Sequence, residues 1–139
     1  MLDPQHARNR QKRLLPILQA HQLDAAVIGL NKNVYYLTSH LAFWQNFAGL
    51  VLFADGRSVL VTANKPDQNA AADAVRAYEA TWSGTQRQEQ PTAVADVLLE
   101  VFDGHVPGRI GIDTSPVGAA VAVKTGARCV PIDPELWQL

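Results

Sequence analysis

The chain has 139 residues and a formal charge of -1, with 47% hydrophobic and 18% charged residues. This length suits one domain with one substantial core, and the low charged fraction excludes a disordered or solvating chain. The balanced charge excludes an overall field that would attract nucleic acid or an anionic membrane. We therefore expect a compact domain whose partners are neither nucleic acids nor membranes.

Cysteine usage and the N-terminal residues favour a reducing compartment. Cys129 is the single cysteine, so no internal disulfide can form. Residues 1–13 are polar and basic, and Pro16 interrupts the apolar stretch that follows, which argues against a signal peptide. The longest apolar run, residues 48–54, is far shorter than the roughly 18 residues that a membrane span needs. We expect a cytoplasmic protein.

The first predicted element is a helix that begins at Asp3-Pro4 and runs to about Gln22, because a carboxylate cap followed by proline is typical of a helix start. Pro16 inside it predicts a kink or a restart. Leucines and Ile17 form one side of this helix. The other side carries four basic residues that we interpret as a solvated face: Arg8, Arg10, Lys12 and Arg13.

The next segments predict a buried strand and a hairpin. Residues 23–30 form a short apolar run that suits a strand buried on both faces, and residues 34–37 predict a helical turn. Residues 50–54 and 58–62 are apolar runs on either side of Asp55-Gly56, a strong hairpin signal. Both faces of this hairpin are apolar, so each must be covered by other elements.

The second half alternates between helical and strand patterns. Helices are predicted over residues 66–77, 91–102 and 116–125, with Gly126 as the cap of the last. Strands are predicted over 78–82, 109–112 and 128–132, the last at a sheet edge because Pro131 cannot donate to a ladder, and Asp133 opens a further helix. The order predicts a three-layer α/β/α domain with a mixed sheet, antiparallel at the hairpin and parallel elsewhere.

Recognised catalytic motifs are absent from the sequence. It contains no G-x-G-x-x-G, phosphate loop or G-x-S-x-G, and its four histidines are far apart, none at metal-ligand spacing. We interpret His105 as an exposed loop residue, Cys129 as inert packing, and Asp113 with Thr114 as caps of the helix that begins at Pro116. A small enzyme whose site combines the distant His40, Asp113 and His105 stays open as an alternative.

Residues 40–47 differ from the rest because three aromatics, an imidazole and two amides lie there without helix or strand periodicity. Such a loop is either tucked under the fold or used for contact. Composition alone leaves these two readings equally open.

The order of motifs resembles the N-terminal domain of the creatinase, prolidase and aminopeptidase P family. The matching stretches run from Arg8 to Trp137: a basic helix, L-D-A-A-V-I, N-V-Y-Y-L-T-S, the hairpin L-V-L-F-A-D-G-R-S-V-L-V-T, and R-I-G-I-D. Each is weak alone, and their order and spacing make the resemblance specific. It implies a ribonuclease-H-like fold without catalytic residues of its own.

In that family, a following "pita-bread" domain holds two divalent metal ions, such as manganese, which activate a water molecule. None of its five metal ligands can be assigned in this sequence. The resemblance therefore implies that residues 1–139 are one N-terminal domain, that the catalytic domain is absent from this chain, and that the chain is cut at a domain boundary. A C-terminal catalytic domain, a second copy in a homodimer and a peptide substrate are the expected partners.

The resemblance also implies candidate substrate-binding residues that act on the neighbouring subunit: His40, Trp44 and Asn46. Trp44 falls where creatinase-like members have an aromatic residue, but Asn46 falls where they have an arginine. An amide cannot form the charged fork that holds a carboxylate, which disfavours creatine and favours a peptidase-like parent. Ser39 stands where the family often has glycine, so the backbone there is expected to differ.

Two functions follow from these observations. The first is the non-catalytic domain of a metal-dependent Xaa-Pro aminopeptidase- or dipeptidase-like hydrolase, which contributes to dimerisation and to the substrate pocket. The alternative is a stand-alone protein- or peptide-binding module, as in a histone-chaperone relative with the same fold. We expect Trp44→Ala to leave the domain folded and to lower the affinity for partner or substrate.

Overall fold

The computed structural model describes residues 2–43, 45–82 and 85–139. The helices within these ranges are α1 (Pro4–Ala20), α2 (Asn31–Thr38), α3 (Gln90–Phe102), α4 (Pro116–Thr125) and α5 (Asp133–Leu136). The strands are β1 (Ala25–Ile28), β2 (Gly49–Phe53), β3 (Ser58–Ala63), β4 (Ala74–Tyr78), β5 (Thr81–Trp82), β6 (Thr85–Gln86), β7 (Arg109–Ile112) and β8 (Arg128–Pro131).

Six of these strands form one mixed sheet in the order β4-β3-β2-β1-β7-β8. Strand β2 is antiparallel to both of its neighbours, β1 and β3, so the prediction of parallel pairing outside the hairpin is wrong for the β1–β2 pair. The other neighbouring pairs, β3–β4, β1–β7 and β7–β8, are parallel. Strand β8 lies at one edge, as the missing N–H of Pro131 predicts. The two short strands β5 and β6 pair with each other outside this sheet.

Alternate residues of the central strands face two separate apolar cores. Val27 and Val51 contact α3 and α4 on one face, through side chains such as Leu98 and Val121. Ile28 and its neighbours contact α1 and α2 on the other face; this second cluster includes Leu14, Leu18, Leu37, Leu50, Leu52 and Leu60. Each fully buried leucine contributes about 1.5–3 kcal/mol. Helices therefore cover both faces of the sheet, and the predicted three-layer architecture is confirmed.

Helix α1 runs through Pro16 as one element, so a restart at this residue does not occur. Pro16 removes the hydrogen bond that the carbonyl of Lys12 would otherwise accept. Both residues lie on the exposed side of the helix, where water can satisfy that carbonyl. The Asp3 carboxylate accepts a hydrogen bond from Gln5 N at 2.8 Å, which confirms the predicted start.

The interpretation of the basic face as solvated is wrong for two of its four residues. Arg8 donates to the Asp73 carboxylate at 2.8 Å. The Arg10 guanidinium lies 3.9 Å from the ring centroid of Tyr36 and donates to the Tyr36 carbonyl at 3.0 Å. These arginines therefore attach α1 to the elements beside it, whereas Lys12 is exposed.

The hairpin prediction is confirmed in its position and its turn. Strands β2 and β3 pair across residues 54–57, and Gly56 has a φ of 98°, a conformation that favours glycine. Before the hairpin, the helical turn predicted over residues 34–37 is part of a longer helix, α2, which begins at Asn31. The buried strand is confirmed in a shorter form as β1, and all four of its residues are buried.

The predicted helix over residues 66–77 is wrong. Residues 64–73 form turns, and residues 74–78 are the edge strand β4, parallel to β3. The Asp67 carboxylate accepts from Asn69 N at 3.1 Å, which starts a local turn in place of a helix. Pairing with β3 then overrides the helix propensity of the alanines. The strand predicted over 78–82 is instead the end of β4 and the short β5.

The predicted capping role of Asp113 and Thr114 is also wrong, because Ser115 caps α4 and accepts from Gly118 N at 3.0 Å. Asp113 is buried after β7 and accepts from four donors of its surroundings, at 2.6–3.1 Å: Gly29 N, Leu30 N, Asn33 Nδ2 and Ser115 Oγ. We call this cluster the Asp113 junction. It joins the ends of β1 and β7 to the start of α2, while Thr114 donates to Asp133.

The remaining elements agree with the sequence predictions. Helix α3 begins one residue before Pro91, and Gly126 ends α4 with a φ of 65°. The further helix at Asp133 is the single turn α5. In the part of the chain that the structure describes, no helix is both long and apolar enough to cross a bilayer.

Candidate functional site

A cleft of about 600 Å³ opens between the loop that follows α2 and the loop that follows β3. Residues 39–43 and Asn46 form its first wall. Ala63 and residues 65–69 form its second wall, and Pro4 of α1 also lines it. Two of the three predicted substrate-binding residues, His40 and Asn46, therefore line one cavity.

The first wall begins at the end of α2. Ser39 has a φ of 60° and caps the helix, with its N–H donating to the Tyr35 carbonyl at 2.8 Å. Thr38 Oγ1 accepts from His40 N at 3.1 Å and donates to the Val34 carbonyl at 2.6 Å. Ser39 thus takes the left-handed conformation that glycine adopts most readily, and the turn directs the chain into the cleft wall.

The first wall ends in a buried polar network against α3. Phe47 N donates to Gln90 Oε1 at 3.0 Å, and the Tyr78 hydroxyl lies 2.6 Å from the Phe47 carbonyl and 2.8 Å from Gln90 Oε1. Burial raises the pKa of Tyr78 to about 12, against the opposing effect of the bond to Phe47. Asn31 Nδ2 donates to the Asn46 carbonyl at 3.0 Å. Both ends of the loop are therefore fixed to regular elements.

The second wall is attached to α1 and α2. Ala71 N donates to the Thr38 carbonyl at 2.7 Å. The buried amide of Gln11 donates to the carbonyls of Leu37 and Ala71, at 2.7 Å and 2.6 Å. Since an amide nitrogen carries two hydrogens, Gln11 can serve both walls at once. The two loops consequently share one rigid base.

His40 and Asp67 join the two walls across the cleft. His40 Nδ1 lies 2.8 Å from Asp67 Oδ2, and the two side chains are 14% and 32% exposed. Burial alone would raise the pKa of Asp67, but the hydrogen bonds from His40 and Asn69, together with the charge of His40, lower it below its ordinary value. Asp67 is therefore ionised at neutral pH and acts as an acceptor toward the imidazole.

Asn46 provides an acceptor in the first wall that lacks a donor. Its side chain is 7% exposed, and Oδ1 has no hydrogen-bond partner within residues 2–43, 45–82 and 85–139. A buried polar atom without a partner costs about 1–3 kcal/mol. Asn31 Oδ1, in the side chain that donates to the Asn46 carbonyl, is likewise buried without a donor among these residues.

Exposed apolar side chains accompany the polar groups of the first wall. Leu41 and Phe43 are 66% and 75% exposed, and both line the cleft. The sequence left open whether this loop is tucked under the fold or used for contact. These two side chains favour contact, because a loop under the fold would bury them. The third predicted residue, Trp44, lies outside the described residues.

The family model of the creatinase/prolidase N-terminal domain matches residues 10–139. The chain belongs to this family. The match covers almost the whole sequence, as the motif order predicts, and the mixed sheet with helices on both faces agrees with it.

Solved structures with the same fold include isolated N-terminal domains and longer peptidases. The creatinase/prolidase N-terminal domain of an X-Pro dipeptidase from Streptococcus pyogenes has a TM-score of 0.71 and 11% identity, covering 95% of this chain and 99% of the other. Dipeptidase PepE from Mycobacterium ulcerans has a TM-score of 0.67 and 21% identity, covering 99% and 37%.

The prolidase from Pyrococcus horikoshii has a TM-score of 0.62 and 16% identity, covering 92% of this chain and 33% of the other. The chain thus spans about a third of the prolidase and of PepE. A search of the curated proteins finds no match.

The structure of this creatinase/prolidase N-terminal domain does not assemble the alternative site of His40, Asp113 and His105. Asp113 is enclosed in its junction. His105 is exposed after α3, with Nδ1 3.0 Å from the Asp103 carbonyl. No hydrogen bond or cleft within the described ranges joins these residues to His40. Cys129 is partly buried, and burial raises the pKa of its thiol, which agrees with inert packing.

The described part of the chain was expected to hold no metal ion, and its side chains bear on that expectation. The described residues include no group of three His, Cys, Asp or Glu side chains close enough to hold a metal ion. The cleft itself carries one imidazole and one carboxylate, which already bond to each other. The expectation that the metals belong to a separate catalytic domain stays a prediction.

Sequence reasoning missed Asp67, the partner of His40. The two residues are 27 positions apart and belong to different loops, so no local spacing connects them. The helix prediction over residues 66–77 also concealed Asp67, because it placed this carboxylate on a helix rather than in a cleft wall. The one signal was Asp67 itself, which follows Pro66 and starts a turn as aspartate often does.

Proposed function

We propose that this domain is the non-catalytic N-terminal part of a metal-dependent Xaa-Pro aminopeptidase- or dipeptidase-like hydrolase. In this proposal it contributes to dimerisation and to the substrate pocket of the neighbouring subunit. The observation that carries the proposal is the cleft, where His40, Asn46 and exposed apolar side chains lie on one loop whose two ends are fixed. A peptide presents both donor groups and apolar side chains, and this wall matches both.

The polar groups of the cleft support a binding role. His40 is held by Asp67 and has one further ring nitrogen, Nε2, for a ligand. Asn46 adds a buried acceptor that has no donor among the described residues, and a ligand donor would reach it only if the loop moved. Neither residue is needed to complete the apolar cores on which the fold depends. Trp44 remains a candidate apolar wall of the same site, on the strength of the family resemblance alone.

Dimerisation is supported by the exposed side chains of the first wall. Leu41 and Phe43 place two large apolar groups side by side on a loop whose ends are fixed. Exposed apolar groups at the centre of an interface are a common source of binding energy. We propose that this loop lies against a second subunit, so that one surface serves both the dimer and the substrate pocket.

The catalytic chemistry is assigned to a following domain with two divalent metal ions, such as manganese. There the metals would lower the pKa of a bound water and polarise the scissile carbonyl. This domain would supply peptide contacts and exclude water from the pocket. A cytoplasmic location is part of the same proposal.

The alternative, a stand-alone protein- or peptide-binding module, uses the same cleft without a catalytic partner. The exposed Leu41 and Phe43 favour it to the extent that they form an unoccupied contact surface. The reading frame after Leu139 separates the two proposals. A frame that contains two Asp, one His and two Glu in the family's order supports the hydrolase, and a stop codon supports the binding module.

Turnover measurements test the hydrolase proposal. The 139-residue chain and the protein encoded by the longer frame are assayed with manganese on Xaa-Pro dipeptides and longer Xaa-Pro peptides. We expect turnover from the longer protein only, and a rise in KM of about tenfold in its His40→Ala variant from the loss of one ligand hydrogen bond. His105→Ala is the matched control, because this histidine is exposed and lies outside the cleft. Turnover by the short chain at the rate of the longer protein would refute a non-catalytic role.

A further inference from the structure

The His40–Asp67 pair places a carboxylate directly behind the imidazole that lines the cleft. The carboxylate is fixed on its other oxygen by Asn69 N at 3.1 Å, and the backbone of its loop is bonded to α2 through Ala71. The histidine is fixed at its backbone by Thr38 Oγ1. Both partners are therefore anchored independently of each other. The 2.8 Å contact between His40 Nδ1 and Asp67 Oδ2 connects the two walls of the cleft.

The contact determines which ring nitrogen carries a proton. An ionised carboxylate can only accept, so His40 Nδ1 must carry the hydrogen that lies between the two residues. Nε2 then faces its surroundings as an acceptor when the ring is neutral and as a donor when the ring is protonated. Without the carboxylate, either nitrogen could hold the proton and the ring could turn.

The groups around the pair indicate that Asp67 is the residue that fixes the proton on Nδ1 of His40. The charged residues that line the cleft with His40 are Asp67 itself and Lys65, and an ammonium group cannot accept a hydrogen bond from Nδ1. The other polar residues in the lining, Ser39, Asn46, Gln68 and Asn69, have no hydrogen bond to the ring among the described residues.

We propose that Asp67 is a positioning residue that holds the Nδ1–H of His40 and presents Nε2 to the ligand in the cleft. Asp67 itself makes no contact with the ligand and acts through His40. The identity of the ligand, an Xaa-Pro peptide, rests on the proposed function. The orientation of the His40 ring does not depend on it.

A spectroscopic experiment on the 139-residue chain tests the orientation alone. The ¹⁵N shifts of the His40 ring are measured across a pH series, and the tautomer is assigned from the spectra in which the two ring nitrogens differ as they do in a neutral imidazole. We expect Nδ1–H in the wild type and a shift of population to Nε2–H in Asp67→Ala. Asp55→Ala is the control, because it removes the carboxylate of a more exposed ion pair, Asp55–Arg57, which lies in the β2–β3 turn outside the cleft. The proposal would be overturned if the wild-type ring carried its proton on Nε2, or if the tautomer populations were the same in wild type and Asp67→Ala.

A double-mutant cycle in the longer protein tests the route of action. We expect Asp67→Asn, which keeps the acceptor for Asn69 N, to raise KM about threefold and His40→Ala to raise it about tenfold. The double variant should be no worse than His40→Ala alone, because Asp67 acts only through the histidine. A rise in KM of about thirtyfold in the double variant, the product of the two single effects, would show that Asp67 contacts the ligand directly. This result would overturn the positioning role. If His40→Ala leaves KM unchanged while the tautomer behaves as expected, Asp67 still fixes the ring of His40, but the presentation of Nε2 to an Xaa-Pro peptide and the proposed function both fail.

Discussion

Two carboxylates in this domain lie in contrasting surroundings. Asp113 is 1% exposed and accepts from two backbone amides, an asparagine and a serine at the meeting point of β1, β7 and α2. Asp67 is about one-third exposed and accepts from one turn amide and from an imidazole that lines an open cleft.

The difference separates residues that maintain the fold from residues that remain available to a ligand. Every donor at the Asp113 junction is used inside the protein, so removing its acceptor leaves buried groups without partners. At the cleft, by contrast, Asn46 Oδ1 has no donor among the described residues and Phe43 is exposed. We therefore expect changes at the junction to alter stability and changes at the cleft to alter binding.

The largest expected effect comes from Asp113→Ala. It leaves the amides of Gly29 and Leu30 buried without an acceptor, which should lower the free energy of unfolding by about 3 kcal/mol or more. Urea denaturation followed by circular dichroism measures this loss. Asp96→Ala is the control, because its ion pair with Lys124 is exposed and is expected to contribute less than about 1 kcal/mol. Equal losses in the two variants would remove the distinction between junction and surface.

Tyr78→Phe tests the buried anchor between the cleft loop and α3. It removes the hydroxyl that bonds to the Phe47 carbonyl, at an expected cost of about 1–2 kcal/mol in the free energy of unfolding.

The same hydroxyl predicts a loss of stability in alkali. Because the folded pKa of about 12 exceeds the ordinary value of 10.0, its contribution is complete below pH 10 and is lost as the pH rises toward 12. The slope of stability against pH in this window should be shallower in Tyr78→Phe. Identical slopes in wild type and variant would show that Tyr78 ionises as freely as in the unfolded chain.

The dependence of stability on acid pH tests the contribution of the cleft carboxylate Asp67. Hydrogen bonds and ion pairs outweigh burial and hold the pKa values of Asp67 and Asp73 below their ordinary values. Their stabilising contribution is therefore present above about pH 4 and is lost as the pH falls below it. In Asp67→Asn we expect a loss of less than about 1 kcal/mol at pH 7 and a weaker dependence on acid. If stability depended on acid pH in the same way in wild type and Asp67→Asn, the ionised form of Asp67 would not be stabilised by its contact with His40.

Asn46→Leu should have the smallest effect on stability, within about 0.5 kcal/mol, because the leucine removes a buried acceptor that lacks a donor. The same change is expected to weaken peptide binding, measured as KM in the longer protein. A stability loss above about 2 kcal/mol would instead assign Asn46 to the fold, as for a residue with satisfied bonds.

The sequence predicted the layers well because they depend on local patterns. The apolar runs of β1 and the hairpin, the Asp-Gly turn and the spacing of α3 each have their own signal. The helix prediction for residues 66–77 is wrong because an alanine-rich composition favours a helix. Pairing with β3 makes the end of this segment a strand, and no local pattern reveals that pairing. The role of Asp113 was missed for a similar reason, since three of its four donors lie 80 or more positions away.

The candidate site was predictable in part. The resemblance selected His40 and Asn46, and both line the cleft. Asp67 could not be found, because its importance comes from a contact between two loops. A residue's role in such a contact depends on the folded distance, which neither spacing nor composition contains.

Mixing two differently impaired subunits tests the central claim, that the cleft of one subunit serves the catalytic centre of the other. One variant of the longer protein carries His40→Ala and Asn46→Leu, and the other lacks a metal ligand of the catalytic domain. Random pairing would form half of the dimers as hybrids with one complete site each, so we predict about one quarter of wild-type activity at low substrate concentration. Activity that stays at the level of the separate variants would contradict the claim.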